Sequence, residues 1–133
     1  MKVAEVRVLY ADTDQMGVVN NVNYLRWFEI GRAEWLRAHG LSYKEIESQG
    51  VQLPVVEAHL KYHAPARYDD VCQIEAHPSQ VRSASACFNY RISRGGDGVL
   101  LTTGTTRHAC LNAGGRVRRF PDSLIELLKK EEV

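Results

Sequence analysis

The strongest constraint on the fold of this chain is a proline-free run, Asn21 to His39, whose apolar residues recur at helical spacing. Tyr24, Phe28, Gly31, Trp35 and Ala38 fall four, three, four and three residues apart, and Leu25, Trp27, Ile30 and Leu36 widen the stripe. A helix that is apolar around most of its circumference is normally buried, so the rest of the chain is expected to wrap it. Gly40 stands where a C-terminal cap belongs. Glu29 precedes Arg32 by three, and Glu34 precedes Arg37 by three, spacings at which opposite charges meet on a helix. A carboxylate within a buried helix must be paired or protonated. Glu29 is therefore expected to form an ion pair with Arg32 or a neighbouring subunit, or else to be a second acid of a reactive site.

The wrapping material has the period of strands. Val3–Tyr10 reads as a first strand and Ala11–Asn20 as a loop rich in Asp, Gly and Asn. Leu41–Gln49 suggests a short helix, with Ser42 as N-cap and Glu45 completing a capping box. From there the period becomes two. Val56, Ala58, Leu60 and Tyr62 alternate with polar residues, as do Cys72, Ile74 and Ala76, then Ala86, Phe88, Tyr90 and Ile92. Val99–Leu111 is a long Thr-rich strand, and glycine-rich turns stand at Gly95–Gly98 and Asn112–Gly115. Pro121–Lys130 reads as a closing helix, with proline at its start and lysines at its end. Strands joined mostly by tight turns form a largely antiparallel sheet, and one long apolar helix must lie across it. This α+β arrangement is the hotdog fold, and residues 1–133 read as one hotdog domain with no linker or repeat.

Composition narrows the function. Seventeen Lys and Arg face sixteen Asp and Glu, so the basic field of a nucleic-acid binder is missing. There is no apolar run long enough to span a membrane, and the charged N-terminus lacks the apolar block of a signal peptide. Three cysteines without metal-ligand spacing point to a reduced, cytoplasmic setting.

The chemistry-bearing segment is Tyr10 to Tyr24, between the first strand and the start of the long helix. A helix start offers unpaired backbone N–H groups and a partial positive charge, which can stabilise an oxygen that becomes negative in acyl transfer. Gly17 would let the backbone approach a ligand. A carboxylate upstream could act as nucleophile or as a base for water. The Asp12-x-Asp14-x-x-Gly17 spacing also begins like a calcium loop. That register puts Met16 at the fifth position and Asn23 at the twelfth, where a bidentate Glu is needed, so it is rejected. The plainer alternative is that Asp12 and Asp14 only form turns or caps.

The segment resembles the Asp-loop signature of the 4-hydroxybenzoyl-CoA thioesterase-like hotdog family, which includes acyl-CoA thioesterases of the Tol-Pal-associated type. The likeness continues through Tyr24-Leu25-Arg26-Trp27-Phe28-Glu29 and Arg32, returns at Pro65–Asp70, and resumes at Gly115-Arg116 and Pro121. It implies an acyl-CoA thioesterase yielding a free acid and CoA, with no metal and no cofactor beyond the coenzyme A of the substrate. It places the catalytic carboxylate on Asp14 and the carbonyl-polarising backbone N–H on Asn21. It also implies active sites at the interface of a homodimer or homotetramer. Many members carry Tyr-His where this chain has Asn20-Asn21, which leaves the backbone donor intact.

Tyr24 and the cations Lys61, Arg67 and Arg82 form the expected substrate-binding set, the cations facing phosphates; Arg116, Arg118 and Arg119 form a second cationic cluster. His39, His59, His63, His77 and His108 read as structural or surface residues, and Cys87 and Cys110 as packing thiols. Two other readings stand beside hydrolysis of acyl-CoA: a non-catalytic acyl-CoA-binding or scaffold protein, and a thioesterase acting on acyl carrier protein. A hotdog hydratase ranks last, since it wants a His–Asp pair near the helix.

Overall fold

The computed structural model describes residues 2–133. Five strands, β1 (Lys2–Arg7), β2 (Val55–Tyr62), β3 (Val71–Ser79), β4 (Ser85–Arg94) and β5 (Leu100–Ala109), form one antiparallel sheet in the order β1-β3-β4-β5-β2. The helices are α1 (Val22–Ala38), α2 (Tyr43–Ser48) and α3 (Asp122–Glu131). This is the hotdog arrangement. The period-two segments became β2 to β5 as expected, but β2 does not pair with its successor. It crosses to the far edge beside β5, while β3 pairs with β1.

The sheet holds α1 on one face. In β3 the residues Cys72, Ile74, Ala76 and Pro78 point inward and are buried. Tyr90 of β4, Gly104 of β5 and Leu60 of β2 stand in register on that face. The Phe28 ring stacks on Tyr90 at 4.2 Å between centroids. Two glycines set the depth at which the helix lies. A Cβ on Gly31 would sit 2.8 Å from Ile74 Cγ2, and one on Gly104 would sit 2.5 Å from Phe28 Cε2 and 2.7 Å from the His59 carbonyl oxygen. Neither position has room for a side chain, so helix and sheet meet backbone to ring.

α1 is buried along one side only. Tyr24, Trp27, Phe28, Gly31, Trp35 and Leu36 are buried, whereas Val22, Leu25, Glu29 and Ala38 are exposed. The expectation for Glu29 is corrected accordingly. It faces solvent and forms none of the ion pairs found among the described residues, so burial imposes no pairing on it. The second charge pair did form, Arg37 with Glu34. The helix ends at His39, and Gly40 at φ +81° donates its N–H to Arg37 O while Leu41 N–H reaches Leu36 O, the left-handed closure that glycine favours. At α2, Ser42 Oγ accepts from Glu45 N–H at 3.1 Å; the return contact of Glu45 goes to the Ser42 hydroxyl.

The edges of the sheet differ. β2 is exposed at every residue but Leu60, which is half-buried, and one of its sides has no strand partner among the described residues. No helix is long and apolar enough to cross a membrane.

Candidate functional site

The Asp-rich loop is a small closed hairpin. A short 3-10 turn at Tyr10–Asp12 ends β1's extension. Thr13 then bridges Val19, Asp14 N–H bonds Val18 O at 2.9 Å, and Asn20 N–H bonds Asp12 O at 2.8 Å. The tip turns at Gly17, whose φ of +77° is a conformation that side chains resist. Nothing lies within 4 Å of where its Cβ would be. The turn conformation, and not close approach within the chain, is what glycine satisfies here.

The two aspartates separate cleanly. Asp12 is 6% exposed and saturated. Its Oδ2 accepts from Leu9 N–H at 2.8 Å, and its Oδ1 meets Arg26 Nη2 at 2.8 Å. Its carbonyl oxygen also takes Asn23 Nδ2 at 3.0 Å. Asp12 thus clamps the hairpin to the first turns of α1, with both oxygens engaged and buried away from a substrate. Asp14 is exposed. Its Oδ1 accepts from Met16 N–H at 2.9 Å and more distantly from Val18 N–H at 3.4 Å, while Oδ2 has no partner among the described residues. The turn-forming role weighed for both residues is therefore real at Asp14, but it occupies one oxygen only.

At the helix start the side-chain cap is Asn20, not Asn21. Asn20 Oδ1 accepts from Val22 N–H at 3.2 Å, and Asn20 O from Asn23 N–H at 3.0 Å. Tyr24 N–H returns to Asn21 O at 3.2 Å. The N–H of Asn21 is the donor of this first turn that finds no partner among the described residues. It lies one residue beyond the Asp12–Asn20 rung that closes the Asp14 hairpin.

A second segment supports the hairpin from beneath. Val19 N–H bonds Ala66 O at 2.9 Å, and Val18 bridges Arg67. Arg94 holds this segment in place, with Nη2 on Pro65 O at 2.9 Å and Nε on Asp70 at 3.2 Å. Arg26 and Arg94 are the residues that sequence reasoning did not single out. Both do their work through contacts distant in sequence, for which no local pattern exists.

The expected substrate-binding residues scatter. Arg67 is exposed beside the hairpin with no ion-pair partner among the described residues. Lys61 is exposed on the outer face of β2, in register with Thr103. Tyr24 lies in the core, 3% exposed, packed on Trp27 and Tyr62 with its hydroxyl near Ala66 and Thr102. Burial pushes its phenol pKa up. Arg82 lies in the β3–β4 turn, at the opposite end of β3 from the hairpin, about 26 Å away at about 3.3 Å per residue. Within one protomer it does not share a site with Asp14.

Asp14 does not line the cavity between α1, α3 and the sheet, nor the shallow one between β2, β4 and β5. The hairpin is instead bordered by exposed apolar side chains: Tyr10 at 79%, Met16 at 82% and Val22 at 68%. The three cysteines are buried and free, and burial pushes the Cys72 thiol up to about 11. No three His, Cys, Asp or Glu side chains converge as a metal-binding group among the described residues.

Comparison with known proteins gives a consistent result. The family model described as the thioesterase-like superfamily matches residues 8–128. The acyl-CoA thioester hydrolase YbgC of Escherichia coli O157:H7 is 32% identical over 94% of this chain and 93% of its own length. Among solved structures, a protein from Thermus thermophilus is 38% identical, with a TM-score of 0.91 over 98% of this chain and 99% of that one. A 1,4-dihydroxy-2-naphthoyl-CoA thioesterase from Synechocystis is 28% identical, with a TM-score of 0.86 over 95% and 93% of the two chains.

Proposed function

This chain belongs to the thioesterase-like superfamily and is a thioester hydrolase, and from that premise we propose that it cleaves an acyl-CoA thioester with the Asp14 carboxylate and the Asn21 backbone N–H. The observation that carries this reading is the division of labour at the hairpin. Asp12 is spent on structure, whereas Asp14 keeps a free oxygen on the same closed turn that leaves the Asn21 donor unpaired.

The chemistry follows from these two groups. The thioester carbonyl oxygen rests on the Asn21 N–H, at the positive end of α1, where developing negative charge is stabilised. The free Asp14 oxygen then attacks the carbonyl carbon, or takes a proton from a water that does so. In the first route loss of the CoA thiolate leaves an Asp14–acyl anhydride, which water cleaves to return the carboxylate; in the second the water oxygen displaces the thiolate directly, and in both the thiolate takes up a proton and the acyl group ends as a carboxylic acid. Neither route needs a metal or a redox cofactor. We assign the phosphates of coenzyme A to Arg67, beside the hairpin, and to Lys61, exposed on the outer face of β2.

The site is completed by a second copy of the chain. The exposed edge of β2 leaves backbone groups free for another strand, and pairing two such edges in a homodimer, alone or within a tetramer, would cover the apolar rim of the hairpin. We place this chemistry in the cytoplasm, where buried free thiols persist.

Asp14→Asn tests the reading. Asn keeps the acceptor that Met16 N–H needs, so the turn survives while the charge is lost. Turnover across a panel of acyl-CoAs should fall by at least about 10²-fold, the lower range for a positioned acid–base group. Undiminished hydrolysis by this variant would refute it.

A further inference from the structure

A cavity of about 280 Å³ lies away from the hairpin, between α1, α3 and the strands β4 and β5. Leu36, Phe88, Phe120, Leu124 and Leu128 give it apolar walls. Its polar lining is Glu29, Arg32, His108 and Tyr43, whose hydroxyl accepts from Leu53 N–H at 3.2 Å.

Those polar groups are ordered by a buried relay. His108 Nδ1 lies 3.0 Å from Leu53 O. A carbonyl only accepts, so Nδ1 carries the proton. Burial holds the imidazole pKa down to about 4, so at neutral pH Nε2 is an acceptor. Thr106 Oγ1, 2.8 Å away, must then donate to it. The Tyr90 hydroxyl, 2.6 Å from Thr106 Oγ1, must donate in turn. That leaves the Tyr90 oxygen as acceptor toward the Arg32 guanidinium beside it. Each proton in the relay has a fixed direction, and its positive end is Arg32.

Arg32 is half-buried and forms none of the ion pairs among the described residues. Of the other half-buried arginines, Arg94 meets Asp70 and Asp97 and Arg107 meets Glu57, while Arg118 turns to the Arg119 carbonyl away from this cavity. Glu29 lines the same cavity from its exposed side without reaching Arg32. A partly desolvated cation with no anion is unfavourable, and a guanidinium fork matches a carboxylate in shape and charge.

We propose that this cavity is a second binding site, for a small apolar monocarboxylate held by Arg32. Its volume equals about nine waters at about 30 Å³ each, room for an acid of about ten non-hydrogen atoms such as octanoate. The site is separate from the hairpin. Among its lining residues Glu29 stands nearest in sequence, eight residues after Asn21, about 12 Å along the helix at about 1.5 Å per residue. An acid of this class is also what thioester hydrolysis releases, but the site does not rest on that reading.

The test is a titration of the full chain with sodium octanoate, followed by methyl NMR. Saturable shifts at Leu36, Leu124 and Leu128 are expected, with octan-1-ol binding at least tenfold more weakly. Ala33→Phe, which fills the cavity without touching the relay, should abolish both sets of shifts. Arg32→Gln should erase the preference for octanoate over octanol. Three results would overturn the proposal: no saturable shift, shifts confined to Val18 and Val22 beside Asp14, or octanol binding as tightly as octanoate. The last comparison uses the unaltered chain, so it decides the matter even where Arg32→Gln fails to fold. Loss of hydrolysis in Asp14→Asn with octanoate binding retained would separate the two sites.

Discussion

Asp12 and Asp14 stand two residues apart in one loop, and the structure gives them opposite work, which paired substitutions can separate. Asp12→Ala removes the acceptor of the Leu9 N–H and the partner of Arg26. Leaving the part-buried N–H unsatisfied costs about 1–2 kcal/mol. The ion pair adds less, about 0.5–1 kcal/mol, because the Arg26 side chain is 47% exposed and water screens it. The Asp12 carbonyl bonds to Asn20 and Asn23 use backbone and survive the substitution. The sum is about 2 kcal/mol, or a fall in Tm of about 8 °C for a chain of this length. Asp12→Asn keeps the Leu9 acceptor and loses only the charge, so its fall should be about 3 °C. Asp14→Asn should leave Tm within about 2 °C of the parent. Thermal melts read by circular dichroism at one protein concentration provide the comparison, since subunit association would otherwise shift Tm. The reasoning fails if Asp12→Ala melts with the parent, or if Asp14→Asn is the less stable protein.

Three further outcomes follow from other parts of the molecule. Gly104→Ala drives a methyl to within 2.7 Å of the His59 carbonyl and 2.5 Å of the Phe28 ring; it should cost at least about 2 kcal/mol in urea unfolding, and Phe28→Leu should recover part of that cost. His108 titrates near 4 in the fold against an ordinary 6.5, so the neutral form is the one the fold favours. Its contribution is intact above about pH 6.5 and is lost as pH falls toward 4, by up to about 3 kcal/mol. His108→Gln should therefore flatten the decline of Tm over that window. Lys61→Ala and Arg67→Ala should each raise KM for acyl-CoA about three- to tenfold, with kcat unchanged and no effect on a thioester lacking the nucleotide. An equal effect on both substrates would remove these cations from phosphate binding.

The parts of the fold legible in the sequence are those whose signal is periodic and local. β3 alternates cleanly because one of its faces packs on α1 and the other does not, and Cys72, Ile74, Ala76 and Pro78 are buried for that reason. α1 was readable to within a residue at each end, because Gly40 supplies a left-handed closure that few other residues tolerate. β2 alternates in sequence as well, yet nearly all of it is exposed. Its pattern anticipates a surface that one protomer does not bury. The same argument applies to Val22 and Leu25 on α1. Hydropathy reports that a residue is suited to cover, not that one protomer supplies it, and the subunit pairing proposed above would account for these places.

What the sequence could not yield are arrangements made by contacts distant along the chain. Asp12 and Asp14 are chemically identical and nearly adjacent, so periodicity and spacing do not pair one with Arg26, and only the family resemblance singles out Asp14. The assignment is made by the position of Arg26 on α1, fourteen residues on. The relay from Arg32 to Leu53 runs through Tyr90, Thr106 and His108, drawing on α1, β4, β5 and the segment before β2. Each of these residues, taken singly, reads as ordinary core. Their joint effect is to hold a cation at an apolar cavity without an anion, and only the assembled sheet creates that imbalance. Glu29 and Arg32, three apart on one helix, carry the sequence signature of an ion pair that would have cancelled it. The pair does not form, because Glu29 faces solvent while Arg32 turns inward beside Tyr90.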